Sequence, residues 1–551
     1  MTARRLLILF AAATTLSLSA SLSGPAGTAQ AARNPFSNFG FAFGNLDQMT
    51  AAQRSSYLDA IRVMAGPNGS VRTDIRWNPN TRSGPDFGLY DGLATAIAAA
   101  GVRWLPVIHL GGGGTYYVPA RSADGTMATW RANLKAIADR YGPGGSFTAP
   151  GWQPITRYEI WNEPNDATGN AGGALTAQDV VQLLKDGAAG IRDAAAAHGW
   201  NATIVGPALG KIDFSYLNTM YGIDPSFLNA LNGVSVHVFM KDDPALPGGT
   251  TQVQRIRTLA TLRAWLDDHG APDASIWMTE GGYSGADGVV PPNVVSEARQ
   301  AEWGRGALRW IHANPDLEVD YFGHYNPIDA NQTTYTGNGT QFDYPFWLEN
   351  LGAASPSGTS LKPWGVAYRD DIAAMQAAPT PATIAPTSLT FDGQAVGTTS
   401  DPQQVTISNH GSGVTRISDV TLTGTDAAQF TLTAVGGGCP IELYPGESCA
   451  QSVTYTPASA GSTGATVSIT ATGGSFAVSL AGSTPTGASK ATVSPGSIDF
   501  GSQPVGTSSA ARDVTVTSSG SAPLVISRVA ASGDFAVTGE TCTAAAVDPG
   551  G

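Results

Sequence analysis

The sequence predicts an α/β protein in which a (β/α)8 barrel is followed by all-β sandwich domains. Three observations support this prediction. Short β-rich runs alternate with helical patterns eight times between residues 36 and 376. Beyond residue 382 the helical patterns give way to strands in which apolar and polar residues alternate. This C-terminal part also repeats itself with an offset of 109 residues.

Residues 1–32 are predicted to be a signal peptide. Arg4 and Arg5 precede an apolar stretch, and Ala29-Gln30-Ala31 has the form of a small-residue cleavage site. The apolar stretch is interrupted by Thr and Ser and is short for a membrane span. We therefore expect cleavage near residues 31–33 and a secreted, extracellular protein. No later segment of the sequence is long and apolar enough to span a membrane.

The composition argues against a nucleic-acid partner. The chain of 551 residues carries a formal net charge of −13, and no run of Lys or Arg reverses this balance. Charged residues make up only 13% of the chain, which suits loop-rich extracellular structure more than helical cytosolic assemblies. A neutral ligand is compatible with this composition, although the composition does not imply one.

The predicted barrel domain spans residues 33–376. Its candidate strands are residues 36–44, 70–77, 103–110, 155–162, 202–209, 233–240, 275–282 and 319–326. Between them lie stretches such as "ATWRANLKAIADRYG", in which apolar residues recur at helical spacing. The main rival is a doubly wound open sheet. It is disfavoured because no Gly-rich phosphate-binding turn follows the first strand.

The C-terminal part is predicted to contain two sandwich repeats. A linker at residues 377–382 leads to repeat 1 at 383–484, and a second linker at 485–491 leads to repeat 2 at 492–551. Pro386 and Phe391 of repeat 1 align with Pro495 and Phe500 of repeat 2. Units of about 100 residues with short alternating strands suit an immunoglobulin-like sandwich.

The three cysteines all lie in these repeats. An exported chain makes a disulfide between Cys439 and Cys449 plausible. In repeat 2 the chain ends shortly after Cys542, before a second cysteine would be due. We therefore expect repeat 2 to be incomplete.

Two glutamates end predicted barrel strands. Glu163 lies at the end of the fourth strand, in "YEIWNEPN", and Glu280 at the end of the seventh, in "IWMTEGG". Functional residues of such barrels lie at the C-terminal ends of the strands. A single carboxylate there could merely cap a helix. Two carboxylates on facing strands are the groups that cleavage of a glycosidic bond requires.

The combination of "WNEPN" and "TEGGYS" resembles the clan A glycoside hydrolases, the cellulase-like superfamily of retaining (β/α)8 enzymes. The resemblance implies that Glu163 is the general acid/base and Glu280 the nucleophile. It also implies that Asn162 binds the sugar 2-hydroxyl and that Arg72 keeps the nucleophile ionised. The activity implied is hydrolysis of O-glycosidic bonds in a poly- or oligosaccharide by double displacement, without a cofactor.

The resemblance extends to His237, which occupies the position of a histidine common on the sixth strand of these enzymes. Phe239 stands two residues later, where a tyrosine hydroxyl is common, so the subfamily is open. Tyr283 or Tyr325 could supply that hydroxyl. On the eighth strand, where a tryptophan platform is common, this chain offers Tyr325 and, later, Trp347.

Other candidate substrate contacts are less specific. His109 and His324 end the third and eighth strands and suit either a substrate contact or a structural role. We expect two or three of the aromatic residues near the strand ends to touch substrate: Trp77, Trp104, Tyr116, Tyr117, Trp161, Tyr283, Tyr325 and Trp347. No His, Asp or Glu cluster has metal-ligand spacing, so no catalytic metal is predicted.

The C-terminal repeats resemble the choice-of-anchor D or Hydin-type modules of secreted bacterial proteins, through "SLTFDGQAVGTTS" and "CPIELYPGESCAQSVTYTP". This resemblance implies spacers or adhesive units that contact a cell surface or a polysaccharide. Two alternatives to hydrolysis stay open: a non-catalytic carbohydrate-binding protein on a barrel scaffold, and a transglycosylase that uses the same glutamates. The sequence does not specify the polysaccharide or exo against endo action.

Overall fold

The computed structural model describes residues 38–43, 46–66, 68–112, 115–166, 175–239, 256–282, 296–325, 361–485, 487–543 and 545–551. The predicted signal peptide lies outside these residues. So do Tyr283 and Trp347, two of the candidate substrate contacts.

The barrel predicted from the sequence is confirmed. Eight parallel strands form one closed sheet in chain order, and the first strand pairs with the eighth as well as the second. A two-residue strand, Thr115–Tyr116, folds back on the end of β3. The barrel strands are β1 (Phe39–Ala42), β2 (Ser70–Trp77), β3 (Arg103–Gly112), β4 (Arg157–Ile160), β5 (Thr203–Leu209), β6 (Gly233–Phe239), β7 (Ser275–Gly282) and β8 (Val319–His324).

Helices surround the barrel and bury their apolar faces against it. Several begin at a side chain that accepts a hydrogen bond from the first turn, such as Thr50, Asp86 and Thr176. None of the described helices combines the length and apolarity needed to cross a membrane. The helices are α1 (Ala51–Ala65), α2 (Phe87–Ala100), α3 (Ala128–Tyr141), α4 (Ala177–His198), α5 (Phe214–Ile223), α6 (Thr258–Asp268), α7 (Glu297–Ala313) and α8 (Pro363–Gln376).

The barrel interior is filled near the N-terminal ends of its strands. Leu105, Val205, Trp277 and Tyr321 form a separate buried cluster there, with the Trp277 and Tyr321 rings stacked at a centroid distance of 5.3 Å. Packed layers of this kind make such a barrel a core and not a pore. Polar side chains can therefore collect at the opposite end, where the strands finish.

A β-sandwich follows the barrel, as the sequence predicts. One sheet has the order β9 (Thr383–Ala385), β11 (Gln403–Ser408), β15 (Ser448–Tyr455) and β13 (Phe430–Ala434). The other has the order β10 (Ser388–Phe391), β17 (Gly474–Ser483), β16 (Ser462–Ala471), β12 (Thr415–Thr423) and β14 (Glu442–Leu443). Val405, Tyr455 and Val467 lie in the core between the sheets.

The cysteines of the two repeats differ in state. Cys439 and Cys449 form a disulfide with a Cα–Cα distance of 5.1 Å. Cys542 is a free thiol. In the second repeat the described strands are β18 (Ala491–Ser494) and β19 (Thr515–Ser518), which pair with each other in antiparallel fashion.

The sandwich docks on α7 and α8 through a network of ion pairs. Arg309 of α7 binds Asp371 of α8 at 2.7 Å and Glu447 of the sandwich at 2.7 Å. Its guanidinium also lies over the ring of Tyr444, 3.7 Å from the centroid. Nearby, His312 of α7 lies 2.7 Å from Glu442, a buried carboxylate of β14. The barrel and the sandwich therefore share a specific interface of ion pairs and a cation–π contact.

We expect Arg309→Ala to lower the free energy of unfolding by about 2–3 kcal/mol. The reason is that Asp371, only 2% exposed, would keep a single arginine partner and Tyr444 would lose its cation. Urea denaturation at neutral pH measures the change. Arg369→Ala is the matched control, because Arg369 forms an exposed pair with Asp370 that contributes about 0–1 kcal/mol. Equal losses in both variants would contradict the interface described here.

Candidate active site

Glu163, His237 and Glu280 meet at the C-terminal end of the barrel. A carboxylate oxygen of Glu163 lies 2.6 Å from Nδ1 of His237, and one of Glu280 lies 3.7 Å from the same nitrogen. One oxygen of each glutamate and a His237 ring nitrogen all lie within 4.8 Å of one another. The His237 side chain is fully buried, whereas Glu163 and Glu280 are 25% and 13% exposed. Both carboxylates are thus accessible at the mouth while their shared partner is not.

At Trp161, just after β4, the regular alternation of side chains between the two faces of the sheet is broken. Alternate residues of a strand share a face, so Asn162 would be expected on the opposite face to Glu159. Trp161 instead has a φ of 73°, a left-handed conformation that a bulky residue seldom adopts. Its ring packs on Trp130 of α3. Asn162 consequently turns inward beside Glu159, and both contact Arg72.

The backbone is also left-handed at Glu163. Glu163 has a φ of 48°, and its N–H donates to the carbonyl of Ala208, which has a φ of 52°. Gly210 lies directly against the Glu163 side chain, because a Cβ at that position would come within 3.2 Å of it. Non-glycine residues in this conformation cost about 1–3 kcal/mol each and cluster at functional sites.

Strand β7 reaches the same end by a bulge at Thr279. Trp277 faces the barrel interior, so simple alternation would direct Glu280 toward the helices. The register between β6 and β7 shifts just before His237, and the Cα partner of His237 is Glu280. The extra residue restores Glu280 to the interior face, which is the effect of a β-bulge on side-chain direction.

Arg72 of β2 connects the two strands. Its guanidinium donates through Nε to Glu159, through Nη1 to Glu280 at 2.5 Å and through Nη2 to Asn162 at 2.7 Å. The Asn162 amide in turn donates to the hydroxyl of Tyr116 at 3.2 Å. Arg72 is only 1% exposed. A buried arginine with three partners fixes the relative positions of β2, β4 and β7.

The charges at the site shift two pKa values. Burial raises the pKa of Glu280 above its ordinary value, and the positive charges of His237 and Arg72 oppose that rise. Burial acts to lower the pKa of His237, but the carboxylates of Glu280 and Glu163 outweigh it and the pKa is raised. Arg72 therefore acts to lower the pKa of Glu280, as expected, although burial is the larger influence.

A second polar group lines the wall beside Tyr116. Asp74 of β2 accepts from Arg76 at 2.8 Å and lies 3.5 Å from Nε2 of His109. Burial acts to raise the pKa of Asp74, but His109 and Arg76 lower it overall. The imidazole of His109 lies 4.8 Å from the Tyr116 ring and is 3% exposed. His109 thus belongs to the wall of the site, beneath Tyr116.

The remaining candidate residues fall into different surroundings. Tyr325 places its ring edge on Phe239, whose own ring lies edge-on to His237, so these aromatics continue the wall of the site. His324 faces the other way and packs against Trp364 and Tyr368 of α8, which makes it structural. Among the candidate aromatic residues, Tyr116 accepts a hydrogen bond from Asn162 through its hydroxyl.

The sequence reasoning missed Glu159. Its carboxylate is fully buried inside the barrel and paired with Arg72. A signal was present, because "RYEIW" places an acidic residue in the middle of an otherwise apolar and aromatic strand. A charge in such a strand requires a buried partner of opposite sign, and "VRTDIRW" offers two candidates, Arg72 and Arg76.

Among the described residues, Glu163, His237 and Glu280 are also the one group whose ligand atoms are close enough to hold a metal ion. Arg72 places a permanent positive charge 2.5 Å from Glu280, which opposes a cation at that carboxylate. The arrangement suits acid–base and nucleophilic chemistry by two carboxylates. The absence of a catalytic metal stays a prediction.

Comparisons with known proteins return solved structures alone: no protein-family model matches the sequence, and no curated protein matches it either. A glucosidase from Croceicoccus marinus is 13% identical, with 73% of this chain and 92% of that chain covered and a TM-score of 0.43. The endo-1,4-beta-mannanase from Rhizomucor miehei is 13% identical, with 61% of this chain and 94% of that chain covered and a TM-score of 0.40. A GH113 beta-1,4-mannanase is 11% identical, with 60% of this chain and 96% of that chain covered and a TM-score of 0.35. Similarities this low do not by themselves transfer an activity to this chain.

We expect Glu280→Gln to stabilise the protein at pH 7 by about 1 kcal/mol, as substitutions of buried active-site charges can. Because the folded-state pKa of Glu280 is raised, its favourable contribution is present below the unfolded value and is lost as the pH rises through the folded one. The gain should therefore shrink toward pH 4. Thermal denaturation at both pH values measures it.

Glu302→Gln serves as the control for this measurement, since the Glu302 side chain is 64% exposed and its pair with Arg299 lies on the surface of α7. A Glu280→Gln variant that is less stable than the wild type at pH 7 would mean that the attraction of Arg72 exceeds the cost of burial.

Proposed function

We propose that this chain is a secreted retaining glycoside hydrolase that cleaves O-glycosidic bonds of a poly- or oligosaccharide. One observation carries the proposal: two carboxylates project from β4 and β7 into the barrel mouth, and only Glu280 also contacts the buried Arg72. Two carboxylates in unequal surroundings are what an acid and a nucleophile require.

The spacing of the carboxylates supports retention of anomeric configuration. An oxygen of Glu163 lies within 4.8 Å of an oxygen of Glu280. Retaining enzymes separate their carboxyl groups by about 5–5.5 Å, whereas inverting enzymes leave about 6.5–9.5 Å for a water molecule. The narrower spacing leaves Glu280 to attack the sugar directly.

Glu280 takes the role of nucleophile. Its oxygen attacks the anomeric carbon as the bond to the leaving oxygen breaks, which yields a covalent glycosyl-enzyme. The hydrogen bond from Arg72 stabilises the carboxylate before the attack and again when it leaves. The raised pKa of Glu280 implies that activity falls on the acid side once this carboxylate takes up a proton.

Glu163 takes the role of general acid/base. It donates a proton to the leaving oxygen and then removes one from the water that hydrolyses the intermediate. His237, 2.6 Å away, can share that proton through Nδ1 in both half-reactions. Asn162, held between Arg72 and Tyr116, is suited to bind a sugar hydroxyl next to Glu280.

Two features support export. The N-terminal sequence has the pattern of a cleavable signal peptide. The sandwich contains the Cys439–Cys449 disulfide, and disulfides persist mainly in oxidising compartments. We extend the proposal to the C-terminal repeats as modules that contact a cell surface or a polysaccharide.

The buried charges of the site argue against a barrel that serves only as a scaffold. Arg72 and Glu159 are almost fully excluded from solvent, and burying such charges costs several kcal/mol before their attraction is counted. Apolar residues of similar volume would give an equally stable interior without that cost. The presence of these buried charges is therefore better explained by chemistry at Glu163 and Glu280.

We expect Glu280→Ala and Glu163→Ala each to lower turnover of an activated aryl glycoside at least about a thousandfold. Azide should restore turnover of Glu163→Ala and give a glycosyl azide of retained configuration, because the glycosyl-enzyme still forms. Any azide product of Glu280→Ala should have the inverted configuration. Chromogenic assays on a panel of aryl glycosides, with NMR of the products, measure both effects.

Glu302→Ala, on the exposed face of α7, is the control and should retain full activity. Wild-type turnover by either active-site variant would overturn the assignment. With a sugar acceptor present, the product ratio also separates transfer to sugar from hydrolysis.

We also expect dialysis against EDTA to leave the turnover unchanged, because the two carboxylates act directly on the sugar. The measurement compares kcat before and after dialysis, and again after addition of Mg²⁺, Ca²⁺ or Zn²⁺. A loss that one of these ions restores would contradict the prediction and would make Glu163, His237 and Glu280, the candidate ligand group among the described residues, the first to test by substitution.

A further inference from the structure

Glu159 lies in the barrel interior and takes no part in the chemistry derived above. It belongs to β4, where its Cα pairs with Val107 of β3 and Val205 of β5. Its side chain is fully buried and contacts Arg72. A carboxylate in this position is costly unless it does something that an apolar side chain could not do.

The contact between Glu159 and Arg72 has a specific geometry. Glu159 accepts from Nε, at the base of the planar guanidinium, while the two terminal nitrogens serve Glu280 and Asn162. Because the guanidinium is rigid, a partner at Nε fixes the directions of both terminal nitrogens. Rotation of the Arg72 head would displace its contacts on the nucleophile and the amide together.

The ion pair between Glu159 and Arg72 also uses only one of the two oxygens of the carboxylate. The second oxygen, Oε1, is buried and has no hydrogen-bond partner among the described residues. A structural pair would be expected to use both oxygens in a bidentate arrangement. Buried polar atoms without partners are uncommon, and a functional constraint is one of their recognised explanations.

Glu159 also shares the charge of Arg72 with the nucleophile. Both carboxylates attract the same guanidinium, and the negative charge of Glu159 adds to the rise in the pKa of Glu280 that burial causes. The charged and titratable groups that face Arg72 come from five strands: Asp74 of β2, Glu159 of β4, His237 of β6, Glu280 of β7 and Tyr321 of β8.

We propose that Glu159 is a positioning residue that orients Arg72 toward Glu280 and Asn162 and limits how strongly Arg72 attracts the nucleophile. The inference rests on the proposed function, since it assigns Glu280 as nucleophile. It adds a control element beneath the two carboxylates, on the strand that leads to Glu163.

Glu159→Gln tests the charge. It preserves the shape of the side chain and removes the negative charge, so Arg72 attracts Glu280 more strongly. The acid limb of the kcat/KM profile should move to lower pH by about one unit, with a loss of less than about tenfold at the optimum, because the amide oxygen can still accept from Nε of Arg72. An unchanged acid limb in a folded variant would overturn the proposal.

Glu159→Asp tests the position and keeps the charge balance of the buried site, so it provides a second variant if the glutamine form does not fold. The shorter side chain withdraws from Nε by one methylene. We expect an acid limb close to that of the wild type and at least a tenfold lower kcat/KM. Wild-type kcat/KM in this variant would exclude a positioning role.

Asp371→Asn is the matched control, because Asp371 is also a buried carboxylate paired with arginine but lies on α8, away from the mouth. It should lose stability without any shift of the pH profile. If Glu159→Gln behaves in the same way, then Glu159 is only a structural counter-ion.

A measurement that needs no turnover separates this inference from the proposed function. The carboxyl carbon of Glu280 can be titrated by NMR in protein labelled at glutamate, with its signal assigned from Glu280→Gln. A downward shift of its midpoint in Glu159→Gln supports the inference even if no glycoside is cleaved. An unchanged midpoint overturns it even if the wild type is an active glycosidase.

Discussion

The rest of the site depends on one buried cation, Arg72. Its charge cannot be removed by deprotonation, so the interior must supply compensating anions and acceptors. Glu159, Glu280 and Asn162 meet that requirement from two strands on different sides of the barrel. The carboxylate that is proposed to attack the sugar therefore also balances part of the charge of a buried arginine. The same contact serves the charge balance of the interior and the proposed chemistry.

Two departures from strand alternation bring these partners together. The left-handed backbone at Trp161 turns Asn162 inward, and the bulge at Thr279 does the same for Glu280. In each case an interior residue earlier in the strand, Glu159 or Trp277, keeps its regular position. The regular part of each strand thus builds the core, while the irregular last residues point the functional groups into the mouth.

The period of the apolar residues was sufficient to predict the barrel, and two of its eight strands, Ser70–Trp77 and Ser275–Gly282, have the predicted bounds. The positions of Glu163 and Glu280 at strand ends also followed from the sequence. The inward turn of Asn162 did not, because regular alternation places it opposite Glu159 and no residue type marks the left-handed Trp161. Glu159 was overlooked because its partner lies 87 residues away in the chain, and pairing at that distance is set by closure of the sheet. The docking of Arg309 on Tyr444 joins two domains, which no periodic pattern within either domain encodes.

The contact of the sandwich with α7 and α8 affects how the protein can be divided into separate domains. Those helices flank β8, the strand that closes the barrel against β1. Arg309 of α7 pairs with both Asp371 of α8 and Glu447 of the sandwich, so these three elements share one ion-pair network. Separating the two domains at the linker would therefore also break this network, because Arg309 would lose Glu447 and Tyr444. The two modules are consecutive in sequence, but each presents charged side chains whose partners lie on the other.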